Sequence, residues 1–356
     1  MKKNIFISIT IICLLAFITA CSNSTNNSDS SNEEDNTNDD SSENLTIYTA
    51  REGDVVDKVE EMFNEEHPEI DLEILTMGAE EIMERVRGEK DNPAGDFWWG
   101  GTESTFKKAT DEDLLEPYEL SHDDEIEEDH KDPDNHWYGE MLLPDVIMIN
   151  NEELTKEEAP KDWDDLIDSK WEDEILIRDV LPSGTMRTIY SAMIYKEDPE
   201  DPEKGYEWLN KLDANTKEYS DDPTNLYLGL ARQLGTVSVW NLQDILLQAN
   251  ENNQPFDYVY PESGAPILVD GAGIIKDAEN KENAETFFEF LFESETAIEL
   301  AEDTYQIPTR TDIEEDAMPE WYQELDLKEM DLDWDKLNEN EDEWMEYWNN
   351  EIKNQN

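Results

Sequence analysis

The chain has 356 residues, with 93 Asp and Glu against 26 Lys and Arg, a formal net charge of −67. That balance, without any Lys/Arg cluster, excludes a nucleic-acid binder, which needs a basic face for phosphates; a mean hydropathy of −0.82 with a single apolar stretch excludes a multi-span membrane protein. Aromatic residues at 10%, including 11 Trp and 13 Tyr, exclude a wholly disordered acidic chain, and the length suffices for two ordinary domains.

Residues 1–20 read as an export signal. Lys2 and Lys3 form a basic n-region, and residues 5–18 are an apolar run broken only by Ser8 and Thr10, too short to span a bilayer comfortably. Ile18-Thr19-Ala20-Cys21 resembles the lipobox of bacterial lipoproteins, which implies lipidation of Cys21; an ordinary cleaved signal with an incidental cysteine is the alternative. Residues 22–44 hold no apolar side chain and predict a disordered, self-repelling acidic tether. Two acyl chains on Cys21 would give a stable anchor. The only other cysteine, Cys13, lies within the signal, so the mature domain would have no disulfide, no thiol nucleophile and no Cys-based metal site.

Past the tether, 45–50 reads as a strand. Val55, Val56, Val59, Met62 and Phe63 then fall at helical spacing. Residues 70–75 alternate apolar and acidic as a strand does, 80–86 is helical with Gly88 as its stop, and 96–99 is a third strand. Strands alternating with helices imply parallel pairing through right-handed crossovers, an α/β layer. Residues 122–129 read as an acidic helix, 142–150 as an apolar strand, 163–167 as a short helix and 174–178 as a strand. Ser183-Gly184-Thr185 opens a helix running to about Tyr195. Helices at 205–212 and 226–234, a strand at 237–240, a helix at 242–248 and a strand at 256–260 follow. Residues 266–275 read as a strand pair returning to the first lobe. An aromatic-faced helix spans 284–292, and an acidic helix near the end carries Trp344, Tyr347 and Trp348.

Several segments, in order, carry a family resemblance: 45–51 (LTIYTAR), 95–101 (GDFWWGG), 114–118 (LLEPY), 182–185 (PSGT), 260–267 (YPESGAPI), 305–310 (YQIPTR) and Leu332-Asp333-Trp334. The chain resembles extracellular solute-binding proteins of ABC importers. It is most similar to the type II branch that includes ferric-iron binders and relatives taking phosphorylated or phosphonate solutes. The resemblance implies an α/β, two-lobed type II periplasmic-binding-protein-like fold, each lobe a mixed sheet flanked by helices, joined by two crossing strands. Lobe 1 would comprise 45–142 and 270–356, and lobe 2 would comprise 143–269. It further implies no catalysis, no cofactor and no bound structural metal. A monomer, held by its lipid anchor on the extracytoplasmic face of the cell membrane, would capture a small-molecule or ion ligand in the interlobe cleft. It would deliver that ligand to ABC permease transmembrane subunits.

Open α/β sheets bind ligands beyond the carboxyl ends of their strands, where helix N-termini offer unpaired N–H groups. Gly100, Gly101 and Thr102 follow one strand; Ser183, Gly184 and Thr185 open a helix in the other lobe. These two turns are candidate ligand clamps, and equally ordinary N-caps. Thr49 and Arg51 end the first strand, and Arg187 stands just inside the Ser183 helix. The chain has only seven arginines, so either is a candidate anion holder or a salt-bridge partner. Asn225, in the polar turn with Asp222 and Thr224, and Asn241, after strand 237–240, complete the ligand-binding set. Trp240 and Tyr258 either wall the cleft or belong to the core.

Ferric binders of the resembled branch use an adjacent tyrosine pair where this chain reads Trp240-Asn241-Leu242-Gln243. The preferred ligand is therefore a small anionic organic solute, phosphorylated or phosphonate-like, with Fe(III) as the alternative. His67, His122, His130 and His136 show no ligand spacing and read as surface residues. An exported hydrolase is the rival class, but Gly-x-Ser-x-Gly and His-Glu-x-x-His are both missing from the sequence. A structural surface lipoprotein would leave the two glycine-hydroxyl turns unexplained. Acidity spread over helices as well as the tether implies self-repulsion relieved by salt, and so a saline or alkaline habitat.

Overall fold

The computed structural model describes residues 44–353. The expected signal segment, Cys21 and the tether up to residue 43 lie outside the described residues. The described part contains strands β1 (Asn44–Thr49), β2 (Asp71–Thr76), β3 (Phe97–Thr102), β4 (Leu115–Glu116), β5 (Tyr138–Asn150), β6 (Ile175–Arg178), β7 (Thr216–Ser220), β8 (Val237–Asn241), β9 (Phe256–Val259), β10 (Ile267–Ile275) and β11 (Ile307–Pro308). Its helices are α1 (Gly53–Glu66), α2 (Ala79–Glu89), α3 (Glu103–Asp111), α4 (Gly184–Glu197), α5 (Pro202–Asn215), α6 (Pro223–Ala231), α7 (Leu242–Asn250), α8 (Lys281–Leu291), α9 (Ser294–Thr304), α10 (Glu320–Gln323) and α11 (Trp334–Tyr347).

The architecture is mixed α/β in two half-sheets, as the resemblance implied. In the first, β1 pairs parallel with both β2 and β3, and β10 closes antiparallel on β3. In the second, β6 pairs parallel with both β7 and β8. Strand β5 belongs to both. Its first part pairs with β10 up to Pro144, and from Asp145 onward it pairs with β8 and β9. The chain crosses again at 260–266, where Asp145 N–H donates to Pro266 C=O at 2.9 Å. A third passage at 325–333, unforeseen in the sequence, lies beside the second: Met330 N–H donates to Ala265 C=O at 2.8 Å.

The first core is built by the helical spacing read above. Val55, Val56, Val59, Met62 and Phe63 all point inward from α1, and Phe63 meets Phe287 edge-on at 5.1 Å. Phe97 meets Phe287 and Phe288 at 5.2 and 5.1 Å in the same geometry, which suits aromatic quadrupoles. The second core gathers β5, β6, β8 and α4–α7. It also holds Leu337, Trp344, Met345, Trp348 and Ile352. The C-terminal helix, expected with lobe 1, therefore buries its apolar stripe in lobe 2. Trp348 packs against Tyr190 at 5.2 Å and Tyr219 at 5.6 Å.

Other departures are local. Residues 122–129 form two short 3-10 turns, not a helix; their repeated acids offer no apolar stripe to bury. Residues 266–275 contain one strand rather than two. Helix α2 runs past Gly88 to Glu89. Helix α9 and strand β7 were not read from the sequence: β7 is largely polar and lies at the sheet edge, so its pattern lacks the apolar alternation that marks a strand.

Candidate functional site

Three strands of each half-sheet run straight into helices: β1, β2 and β3 into α1, α2 and α3, and β6, β7 and β8 into α4, α6 and α7 by short turns. All six helices start at one cavity of about 380 Å³. Their N-cap residues, Glu52, Gly78, Thr102, Ser183, Asp222 and Asn241, all line it. Four of these close their own helix in the usual way: the side chains of Thr102, Ser183, Asp222 and Asn241 accept from the N–H groups of Thr105, Met186, Asn225 and Asp244. Glu52 and Gly78 make no such bond, so α1 and α2 present uncapped N–H groups. Each helix start carries roughly half a positive charge, and six of them favour an anion.

The lobes touch along one rim of this cavity. A Cβ placed on Gly184 would lie 2.9 Å from Thr102 Cγ2, and one on Gly78 would lie 3.2 Å from Pro182 O. Glycine at both positions lets the starts of α2, α3 and α4 approach closely.

Arg51 forms part of the floor. Its Nη2 pairs with Glu140 at 2.7 Å and Asp270 at 3.1 Å, and its guanidinium lies over Trp99. Glu140 is further held by Trp99 Nε1 and Gln306 Nε2, and Asp270 accepts from Gly101 N–H at 3.0 Å. Arg51 is thus neutralised on one edge, while its Nε has no partner.

Arg178 is different. It stands at the carboxyl end of β6, lines the cavity and is 8% exposed. Its Nη1 donates only to the Ser220 and Asp179 carbonyls, at 3.2 and 3.4 Å, and its Nε has no partner. No carboxylate lies within 4.0 Å of it among the described residues. Burial pushes its pKa below the usual arginine value, with Asp179, Asp222 and Asp221 opposing.

Several carboxylates line or adjoin the same cavity. Asp244, in the first turn of α7, accepts from Trp240 Nε1, Asn241 Nδ2 and the Tyr227 hydroxyl, at 2.8, 2.8 and 3.1 Å, all on Oδ2. Its Oδ1 makes no hydrogen bond among the described residues. The Glu52 carboxyl has neither a hydrogen bond nor an ion pair there. Desolvation, and then Asp244, Asp54 and Asp222, push the Glu52 carboxyl up to about 8. Burial and then Asp244 push the fully enclosed Asp145 well above the carboxylate range, and both its oxygens lack partners. Asp270 is raised to about 6, by burial against the pull of Arg51.

Of the residues singled out from sequence, Arg51, Gly101, Thr102, Ser183, Gly184, Thr185 and Asn241 line the cavity, with Trp240. Four do not. Thr49 is buried, its hydroxyl accepting from Arg51 N–H. Gly100, at φ +92°, takes a bond from Trp98 Nε1 on its carbonyl. Asn225 is exposed and tied to Asp221 and Asp222. Arg187 points away and pairs with Glu341 at 2.8 Å and with Asp342, on α11; a cation buried in so acidic a protein finds carboxylates first. Tyr258 is also outside the lining, with Lys156 over its ring. Sequence reasoning missed Arg178, Gly78, Glu52 and Asp244. Arg178 had a usable signal, an arginine ending a strand followed by a turn into a helix. The four histidines are half-buried rather than fully exposed, and His136 bonds Asp132.

Residues 101–340 match the family model of the bacterial extracellular solute-binding proteins. A Haemophilus influenzae protein described as uncharacterized is 27% identical over 321 residues, 87% of this chain and 90% of that one. The solved periplasmic binding protein P5PA is 28% identical, with a TM-score of 0.75 over 87% of this chain and 99% of its own. The periplasmic binding protein AfuA from Actinobacillus pleuropneumoniae, solved with exogenous fructose-6-phosphate bound, is 26% identical, with a TM-score of 0.76 and the same coverage.

Proposed function

Because the chain belongs to the bacterial extracellular solute-binding proteins and is the periplasmic solute-binding component of an ABC importer, we propose that its cavity captures a small solute bearing a phosphate or phosphonate group. Arg178 carries this reading. A buried guanidinium without a carboxylate, in a chain of net charge −67, is costly unless an anion arrives to pair with it. The starts of α4 and α6 flank it, and those of α2 and α3 face α4 across the rim, so phosphate oxygens there meet N–H donors from both lobes. The relative solved with a sugar phosphate supports the same chemistry. Fe(III) is less well matched, since the cavity lining contains no tyrosine to supply phenolate oxygen. Capture by lobe closure, delivery to the permease subunits, a lipid anchor at Cys21 and action as a monomer belong to the same proposal.

The test is calorimetric titration of the purified protein with glucose 6-phosphate, glycerol 3-phosphate, methylphosphonate, inorganic phosphate, Fe(III) citrate and spermidine. Saturable binding of a phosphorylated probe supports the reading. Binding of Fe(III) citrate or spermidine alone overturns it.

A further inference from the structure

The cavity lining mixes two kinds of group. Arg178 and the hydroxyl and backbone groups at the starts of α3 and α4 suit a phosphate. Glu52 and Asp244 line the same cavity, and the field of Asp222 reaches both Glu52 and Arg178. A phosphate alone satisfies the first set and leaves the second without a counter-charge.

Resting on the anion reading above, we infer that the ligand carries a protonated amine in addition to its phosphate, seated between Glu52 and the Oδ1 of Asp244. Two geometric facts lead there. Asp244 is 8% exposed and spends all its hydrogen bonds on Oδ2. The remaining oxygen has no hydrogen-bond partner among the described residues, on a side chain that lines the cavity. Glu52 replaces the usual Ser, Thr or Asn at an N-cap, yet makes no capping bond and no ion pair. It is a carboxyl positioned at a cavity and committed to nothing in the protein.

The groups acting on Glu52 are Asp244, Asp54 and Asp222, all acidic, and Tyr227 lies in the same field. Arg51 acts on Asp244, from the floor. Burial first, and then these acids, favour a proton on Glu52 at neutral pH. An ammonium group arriving beside it reverses that balance, so Glu52 ionises and the proton passes to solvent. A neutral hydroxyl in the same place leaves the proton where it is. An amino-sugar phosphate fits this class, and two probes differing in one group isolate the question.

Glucosamine 6-phosphate and glucose 6-phosphate share phosphate and ring and differ by ammonium against hydroxyl. They are titrated at pH 7 in two buffers of different ionisation heat, with 2-aminoethyl phosphate against 2-hydroxyethyl phosphate as a second pair. The amine of a pair should bind roughly tenfold tighter or more. It should release a substantial fraction of a proton, seen as a buffer-dependent heat. Both effects should vanish in Glu52→Gln while the hydroxyl probe still binds. Equal or tighter binding of the hydroxyl probes, or an amine preference that survives Glu52→Gln, overturns the inference and leaves the phosphate reading standing. Failure of all four esters to bind overturns both.

Discussion

Replacing Arg178 by Met removes the guanidinium and keeps most of the apolar stem. The side chain's only hydrogen bonds among the described residues are two long ones to carbonyls, at 3.2 and 3.4 Å, and its charge is held against a desolvation penalty. Losing it should leave stability nearly unchanged, because removing a buried unpaired charge offsets the lost bonds. Ligand binding should suffer far more. A charge-assisted bond to phosphate contributes about 1.5–3 kcal/mol, so Kd for a phosphorylated probe should rise roughly 10- to 150-fold. Arg187→Met is the control. It breaks a pair with Glu341, which is 7% exposed, and leaves that carboxylate, among the described residues, only the longer pair with Lys108 at 3.7 Å. The expected loss is about 3 kcal/mol of stability, several degrees in Tm, with Kd little affected. Titration calorimetry and thermal denaturation of both variants decide the matter. If Arg178→Met binds as wild type while Arg187→Met loses the ligand, the assignment of the anion site to the β6 end is wrong.

Further outcomes follow from particular contacts. A carboxyl raised to about 8 when folded binds a proton that the unfolded chain has lost above its ordinary pKa, so the ligand-free protein should lose stability as pH rises from about 4.5 to 8. Glu52→Gln should match wild type near pH 5 and exceed it near pH 9 by on the order of 2 kcal/mol, once solvent screening is allowed for; parallel melting curves across that range would refute this. Gly184→Val places methyl groups against Thr102 across the rim, so it should weaken ligand binding severalfold with little change in the Tm of the free protein. Trp348→Ala empties a site that is 0% exposed beside Tyr190 and Tyr219 and should cost about 3–5 kcal/mol; a loss under about 1 kcal/mol would show that the Trp348 turn after α11 is dispensable to the second core. With a net charge of −67, Tm should climb between low salt and about 1 M salt, where the screening length falls to about 3 Å.

Short-range patterns along the chain specify the local elements that carry the site. Apolar spacing in 55–63, alternation in 70–75 and the glycine-hydroxyl turns at Gly101-Thr102 and Ser183-Gly184 are short-range signals, and each element formed where its pattern predicts. Their order also determined the fold, since strands alternating with helices admit few pairings. Tertiary structure decided which polar groups face the ligand. Arg51, Arg178 and Arg187 look alike in sequence, each beside a strand end or a helix start. Only packing gives Arg51 two carboxylates in the cavity floor, gives Arg187 the acids of α11, and leaves Arg178 without a carboxylate among the described residues. The placement of α11 was hidden for the same reason: its Trp344 and the Trp348 that directly follows the helix declare an apolar face but not which of two cores receives it. Glu52 and Asp244 were invisible among 93 acidic residues. A carboxylate's role depends on which charges lie within a few ångströms and how much water is removed, and neither distance nor burial is written along the chain.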